Sequence, residues 1–297
     1  MDAVEYKPQA PCPFKFSLIL ATLGRTDEVR RFLTSLENQD YQCYELIVVD
    51  QNPDRRIHEL LLDFPTLQDK VIHVNSEKGL SKARNVGLAL ASGQVVAFPD
   101  DDCWYPSNLL DTVAGLFERD SSLAGVTGRT TDGDGREERA WANRSLTLTK
   151  WNVWRSAISF TIFLNAKVFR GGILFDESLG VGANSKWQSG EETDILCRVI
   201  DQGGRIKYDP AILAYHPVKI STFSPEEFKR ASAYARGCGK VISSDYYPKV
   251  YAATIIVAPI VKAFVSVATF DLRKAKFMGV IAFGRLAGFA AGLIGQK

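Results

Sequence analysis

The sequence predicts an α/β fold, helices around a parallel sheet built from βαβ units, followed by an apolar helical appendage. Three observations carry this. Short apolar runs alternate with longer amphipathic ones from about residue 16 to residue 127. The run "QVVAF" passes directly into Asp100, Asp101 and Asp102, the place where open α/β sheets collect ligand groups at the carboxyl ends of their strands. From Val250 onward the character changes to two long apolar stretches around the basic knot "DLRKAK".

The elements follow in order. "FSLILAT" reads as the first strand, "DEVRRFLTSLENQ" as a helix and "YELIVVD" as the second strand. A polar loop and short helix lead to strand "KVIHVN", helix "SKARNVGLALAS", strand "QVVAFPD", a helix after Pro106 and strand "LAGVTG". Residues 129–150, rich in glycine and charge and without sustained period, read as an exposed connection. "AISFTIFL" is strand-like, "DILCRVIDQGG" is a helix stopped by glycines, and "RIKYDPAILAYH" supplies one or two short strands. "SPEEFKRASAYARGCGKVI" opens on Ser224 as N-cap, with Pro225 in the first turn.

A chain of 297 residues can bury a sizeable core as one domain with an appendage. Its 36 basic and 34 acidic residues leave a net charge of +2, which argues against nucleic acid as a partner. The five cysteines are scattered without a C-x-x-C pair and read as reduced thiols. The stretch "MDAVEYKPQAPCPFKF" lacks the apolar core of a secretory signal, so the catalytic part is expected in the cytoplasm.

Three adjacent carboxylates repel one another unless something positive sits among them. Hard oxygen donors at a strand end suit Mg²⁺ or Mn²⁺, which leaves coordination positions for phosphate oxygens. The local alternative is a solvated acidic loop or a cap on the helix that "YPSNLL" begins. Neither G-x-G-x-x-G nor G-x-x-x-x-G-K-[ST] follows the first strand, which runs instead into "ATLGRTDE" and so disfavours a dehydrogenase or a P-loop enzyme.

"SLILATLGR", "YELIVVDQNPD", "EKGLSKARNVGLALASG" and "VVAFPDDD", in that order and spacing, resemble the nucleotide-binding half of the inverting family 2 glycosyltransferases. "FDESLGVGANSKWQSGEETDILCRVIDQGGRIKYDPAILAYHP" resembles their acceptor half, so the likeness covers about residues 16–217. It implies an A-type glycosyltransferase fold, a Rossmann-like mixed sheet flanked by helices. The implied division is an N-terminal extension (1–15), a nucleotide-sugar-binding half (16–128), an acceptor-binding half (129–247) and a C-terminal helical, membrane-associated segment (248–297).

Carried over by position, the resemblance places Thr22 and Arg25 near the nucleotide, Asp50 at the base or ribose, and Arg84 near the pyrophosphate or base. The triplet becomes the D-x-D motif. Asp102 and then Asp100 are the metal-ligand candidates, with Asp101 nearer the ribose or donor sugar. Where relatives often show two adjacent acids, this chain has Asp50-Gln51, which leaves base preference open.

Inverting transfer needs a base on the acceptor side, because the attacking hydroxyl must shed its proton. In "SGEETDIL", the resemblance makes Glu192 that base and Glu191 an anchor for an acceptor hydroxyl; locally the pair also reads as a helix-start cap. Glu-Glu stands where many relatives carry Glu-Asp. His216 is implied as a metal or phosphate contact, against a plain structural histidine. Trp187 has two roles open to it, stacking on an acceptor sugar or filling the core.

Residues 250–270 are long enough to span a bilayer but carry Pro259 and Lys262 near the middle, and a central Lys costs about 2.5–3.5 kcal/mol on insertion scales. Gly284, Gly288 and Gly292 recur at helical spacing and permit close helix contact. The expectation is a helical pair on the inner face of the cell membrane; the alternatives are packing on the soluble domain or in a homo-oligomer. The expected function is transfer of a sugar from a nucleotide-sugar donor to a saccharide or lipid-linked saccharide, assisted by Mn²⁺ or Mg²⁺, in surface polysaccharide or lipid-linked glycan assembly. A sugar-phosphate nucleotidyltransferase and a non-catalytic sugar-nucleotide-binding subunit are the rival readings.

Overall fold

The computed structural model describes residues 12–218 and 221–294. Its strands are β1 (Phe16–Thr22), β2 (Tyr44–Asp50), β3 (Val71–Asn75), β4 (Val95–Ala97), β5 (Gly125–Thr131), β6 (Leu146–Thr147), β7 (Phe163–Asn165) and β8 (Ile206–Tyr215). They form one sheet in the order β3-β2-β1-β4-β7-β5-β8-β6. The first four are mutually parallel, β7 runs antiparallel to β4 and β5, and β5 pairs in parallel with β8. The sheet is therefore mixed, as the resemblance implied.

The helices are α1 (Asp27–Glu37), α2 (Arg56–Leu62), α3 (Leu80–Leu90), α4 (Leu109–Arg119), α5 (Val153–Ser156), α6 (Lys167–Arg170), α7 (Glu191–Asp201), α8 (Pro225–Ile242), α9 (Lys249–Ala268) and α10 (Leu272–Ile294). β1 and β2 are buried throughout, as central strands covered on both faces must be. Their period of two then sorts the core into two layers. Phe16, Leu18 and Leu20 pack with Phe32 of α1 and Val113 of α4, whereas Ile19, Ile47 and Val49 pack with Ala83 of α3 and Ile195 and Leu196 of α7. Each such fully buried side chain contributes about 1.5–3 kcal/mol.

One expected strand is largely something else. In "AISFTIFL", Ser159–Thr161 form a 3₁₀ turn and only Phe163–Asn165 pair in the sheet. Thr161 Oγ1 donates to the Ile158 carbonyl at 2.9 Å, a local bond that competes with strand pairing. β8 is one ten-residue strand, and its pairing with β5 slips between Thr127 and Arg129, opposite Pro210, which has no N–H for the ladder. Beyond the slip, Tyr215 pairs with Trp104, delivering His216 to the end of the Asp triplet.

Ser224 caps α8 as expected, its hydroxyl accepting from Glu227 N at 3.2 Å. α10 then lies along α8. A Cβ at Gly284 would strike Ala235, one at Gly288 the Arg236 carbonyl, and one at Gly292 Ser243, so the three glycines let the two helices touch. Of the uses open to that small-residue stripe, the chain spends it on its own α8. α9 and α10 are each long and apolar enough to cross a membrane. Much of their apolar surface faces outward, including Phe264 and Phe283, as does Phe270 in the turn between them.

Candidate active site

Parallel strands end on one edge of the sheet, and their carboxyl ends converge. Ala21 at the end of β1 bridges Asp100, which follows β4, and His216 N donates to the Thr131 carbonyl. This edge floors a cleft of about 800 Å³ whose other wall is α8 and α10. The Asp triplet, Arg25, Gln51 and His216 lie at the floor; Tyr234, Phe277 and Arg285 lie on the helical wall.

The triplet is charge-matched residue by residue. Asp101 accepts from Thr22 Oγ1 at 2.9 Å and pairs with Arg25. Arg25 Nη2 also stands 2.9 Å from Asp102 Oδ2, and Asp102 Oδ1 meets His216 Nε2 at 3.1 Å. The His216 ring stacks on Phe160 with centroids 5.0 Å apart. Burial works against the imidazolium, but the bond to Asp102 and the charge of Asp100 outweigh it, so the His216 pKa is raised. Asp100 keeps 31% of its side chain exposed, yet its low-dielectric surroundings push its carboxyl up to about 6; Arg84 opposes that rise and the other two aspartates reinforce it.

Arg84 lies behind the cleft. Its side chain is only 1% exposed and is absent from the cleft wall. Nη2 reaches Asp100 Oδ1 at 3.1 Å and Ser159 Oγ, while Nη1 reaches Glu191 Oε1 at 3.3 Å. The guanidinium lies 5.8 Å from the Phe98 ring and 5.4 Å from that of Phe175. It ties the triplet to the acid pair. The contact with Glu191 was not legible locally, since the two residues stand on helices far apart in the chain.

Gly190 starts α7 with φ 96°, in the left-handed region where a Cβ is strained, and a Cβ here would also strike Val241. Glu191 is buried, and its Oε2 has no hydrogen-bond partner among the described residues. Burial, then the neighbouring Glu192 charge, pushes its carboxyl up to about 8 against the pull of Arg84. Glu192 is half-buried, and its charge reaches Arg139 and the cleft-lining Cys238, while neither Glu191 nor Glu192 itself lines the cleft.

Other expected residues are placed as follows. Asp50 is 1% exposed, with Oδ1 accepting from Asn52 Nδ2 at 2.7 Å and Oδ2 facing His73 Nε2 at 3.1 Å. Its neighbour Gln51 lines the cleft and accepts from Gly79 N at 2.8 Å. Trp187 is half-buried and packs against the core. Trp154, for which the sequence offered no positional argument, lines the cleft with a buried, unpartnered indole N–H. Arg230 and Arg285 in the wall were missed too, because nothing in a helical pattern says which cleft it will border.

Among the described residues, no group of three or more His, Cys, Asp or Glu side chains closes around one point. Asp102 and His216 are adjacent, whereas Asp100 is turned to Arg84. A carboxylate and an imidazole with a second carboxylate close by fit Mn²⁺ or Mg²⁺ that takes its remaining ligands from water and phosphate.

The sequence model of glycosyl transferase family 2 matches residues 17–174. The chain is similar to the glucosyl-dolichyl phosphate glucuronosyltransferase of Haloferax volcanii, 28% identical over 117 residues, 38% of this chain and 37% of that protein. It is also similar to the UDP-Glc:alpha-D-GlcNAc-diphosphoundecaprenol beta-1,3-glucosyltransferase WfgD of Escherichia coli, 30% identical over 108 residues, 36% of this chain and 43% of that one. The matches span less than half the length of these relatives. Among solved structures, the mannosyltransferase PcManGT from Pyrobaculum calidifontis, in complex with GDP-Man and Mn²⁺, superposes with a TM-score of 0.63 at 16% identity, over 96% of this chain and 88% of that one. That likeness establishes the A-type fold.

Proposed function

This chain belongs to glycosyl transferase family 2, and from that premise we propose that it moves a sugar from a nucleotide-diphosphate donor to an acceptor hydroxyl with inversion. The carrying observation is the single buried guanidinium of Arg84 on both Asp100 and Glu191, which ties the acid pair of α7 to the triplet that floors the cleft.

In this reading the donor lies along the floor, with Thr22, Arg25 and Gln51 on its nucleotide side. Asp101 fixes Arg25, so that loop is preorganised before the donor arrives. Asp102 and His216, with Asp100 beside them, would hold a Mn²⁺ or Mg²⁺ ion. When bound, the ion supplies positive charge to the departing diphosphate. Glu192 accepts the proton of the acceptor hydroxyl. The oxygen then attacks the anomeric carbon from the face opposite the diphosphate, the bond from that carbon to the phosphate oxygen breaks, and its electron pair leaves with the diphosphate. Glu191, protonated near neutral pH, donates to an acceptor oxygen without competing for the proton. Trp154 offers an indole face and N–H to the acceptor sugar.

The outward apolar faces of α9 and α10 support action on a lipid-linked saccharide at the inner face of the cell membrane. The lipid carriers in the names of the two sequence relatives point the same way.

The test is incubation of the full chain with a panel of nucleotide sugars, Mn²⁺ or Mg²⁺ and a cell lipid extract. Metal-dependent transfer whose product has the anomeric configuration opposite to the donor's is the expected result. Pyrophosphate release from a nucleoside triphosphate and a sugar phosphate, with no transfer, would replace this reading with nucleotidyl transfer.

A further inference from the structure

The cleft has two electrostatic ends. At the floor, the aspartates are answered by Arg25, Arg84 and His216. Of the two other acids in the lining, Glu138 lies on the His216 side, and Glu227 is occupied by the backbone N–H groups of Thr222 and Phe223. On the helical wall, Arg230 of α8 and Arg285 of α10 border the same cavity, and neither forms an ion pair among the described residues. Arg285 Nη1 is spent on the Ile255 carbonyl at 2.7 Å, and its Nε is buried with no partner. A buried unpaired guanidinium donor costs free energy unless an anion answers it.

The surroundings select the anion. Ile281 and Phe277 lie one and two turns before Arg285 on α10 and line the same wall, with Phe277 packed edge-on to Phe223 and Phe228 at 5.4 Å. Exposed Phe264 on α9, Phe270 in the turn after it and Leu272 at the start of α10 carry the apolar surface outward. Along α10, the cation Arg285, the cleft-lining Ile281 and Phe277, and the exposed Leu272 thus follow one another. A free phosphate has no use for the second and third.

We propose that Arg230 and Arg285 form an anion subsite that binds the phosphate of a polyprenyl-phosphate-linked acceptor, its hydrocarbon chain leaving along Phe277 and Ile281. This rests on the transferase reading above and assigns the acceptor's phosphate a place in it. Guanidinium groups suit the role because they pair with phosphate through parallel N–H bonds and shed water more readily than ammonium.

The test is vesicle co-sedimentation of the full chain without donor, so its outcome does not depend on whether sugar transfer is found. Three vesicles are compared: phosphatidylcholine alone, phosphatidylcholine with undecaprenyl phosphate, and phosphatidylcholine with phosphatidylglycerol at equal charge. Undecaprenyl phosphate should tighten binding about tenfold over the charge-matched vesicle. Arg230→Gln and Arg285→Gln should each remove that preference while leaving binding to plain vesicles. Arg230 is exposed, so its variant keeps the test usable should Arg285→Gln fail to fold. Equal binding to both anionic vesicles, or an undiminished preference in Arg230→Gln, overturns the proposal. So does inorganic diphosphate binding that depends on Arg230 while the undecaprenyl vesicle behaves like plain lipid.

Discussion

Asp100 and Glu191 are held on one guanidinium: Arg84 stands 3.1 Å from Asp100 Oδ1 and 3.3 Å from Glu191 Oε1. The first acid follows β4 and the second opens α7, so a single side chain fixes the spacing between the triplet at the cleft floor and the acid pair of α7. Ser159 and the rings of Phe98 and Phe175 complete its shell.

Removing that cation should be costly. Arg84→Met leaves Asp100 without its cation and the buried oxygens of Glu191 and Ser159 without their donor, and leaving buried polar groups unpaired costs about 1–3 kcal/mol each. Arg84→Lys should recover only part, because an ammonium cannot fork to three acceptors from one plane. Denaturant unfolding of the three proteins checks this, and an Arg84→Met midpoint equal to that of the unsubstituted protein contradicts it.

Glu191 makes stability depend on pH. Its carboxyl is lifted from an ordinary 4.5 to about 8, so the folded protein holds a proton that the unfolded chain releases. The stability this contributes is complete below about pH 4.5 and is lost as pH rises through about 8. Glu191→Gln stays neutral throughout. Its melting temperature should therefore gain on that of the unsubstituted protein as pH rises from about 4.5 to about 8 and hold that gain above it, and a constant gap across this range would refute the assignment.

The α8–α10 contact is predicted to be intolerant of any side chain. Gly288→Ala drives a methyl into the Arg236 carbonyl, and overpacking of this kind costs about 1–3 kcal/mol. Gly279→Ala, on the same helix with open space around it, serves as the control. Protease cleavage within α10 should speed up in the first variant and not in the second.

Most of the frame was readable from period and punctuation. Apolar runs buried on both faces announced β1 and β2, and Ser224-Pro225 announced α8. The unread parts have a common cause, namely that partners distant in sequence decide them. "AISFTIFL" carries the apolar density of a strand, but the local bond of Thr161 and the capture of Ser159 by Arg84 turn its middle into a 3₁₀ helix. A lone arginine in "SKARNVG" looks like a surface residue or a phosphate contact; the aromatic rings and acids that bury it come from β4, the loop before α7 and α7 itself. The glycines of α10 promised a close neighbour, and a stripe of small residues reads the same whether it meets lipid-embedded partners, a second copy or its own α8.

The most direct measurement sets donor binding beside turnover in two variants, once the donor sugar is known. Asp102→Asn should lose metal-dependent affinity for the nucleoside diphosphate. Glu192→Gln should bind it normally and lose about 10²–10⁴-fold in kcat. Transfer at the unsubstituted rate by Glu192→Gln, or undiminished metal-dependent binding by Asp102→Asn, would contradict the division of labour across this cleft.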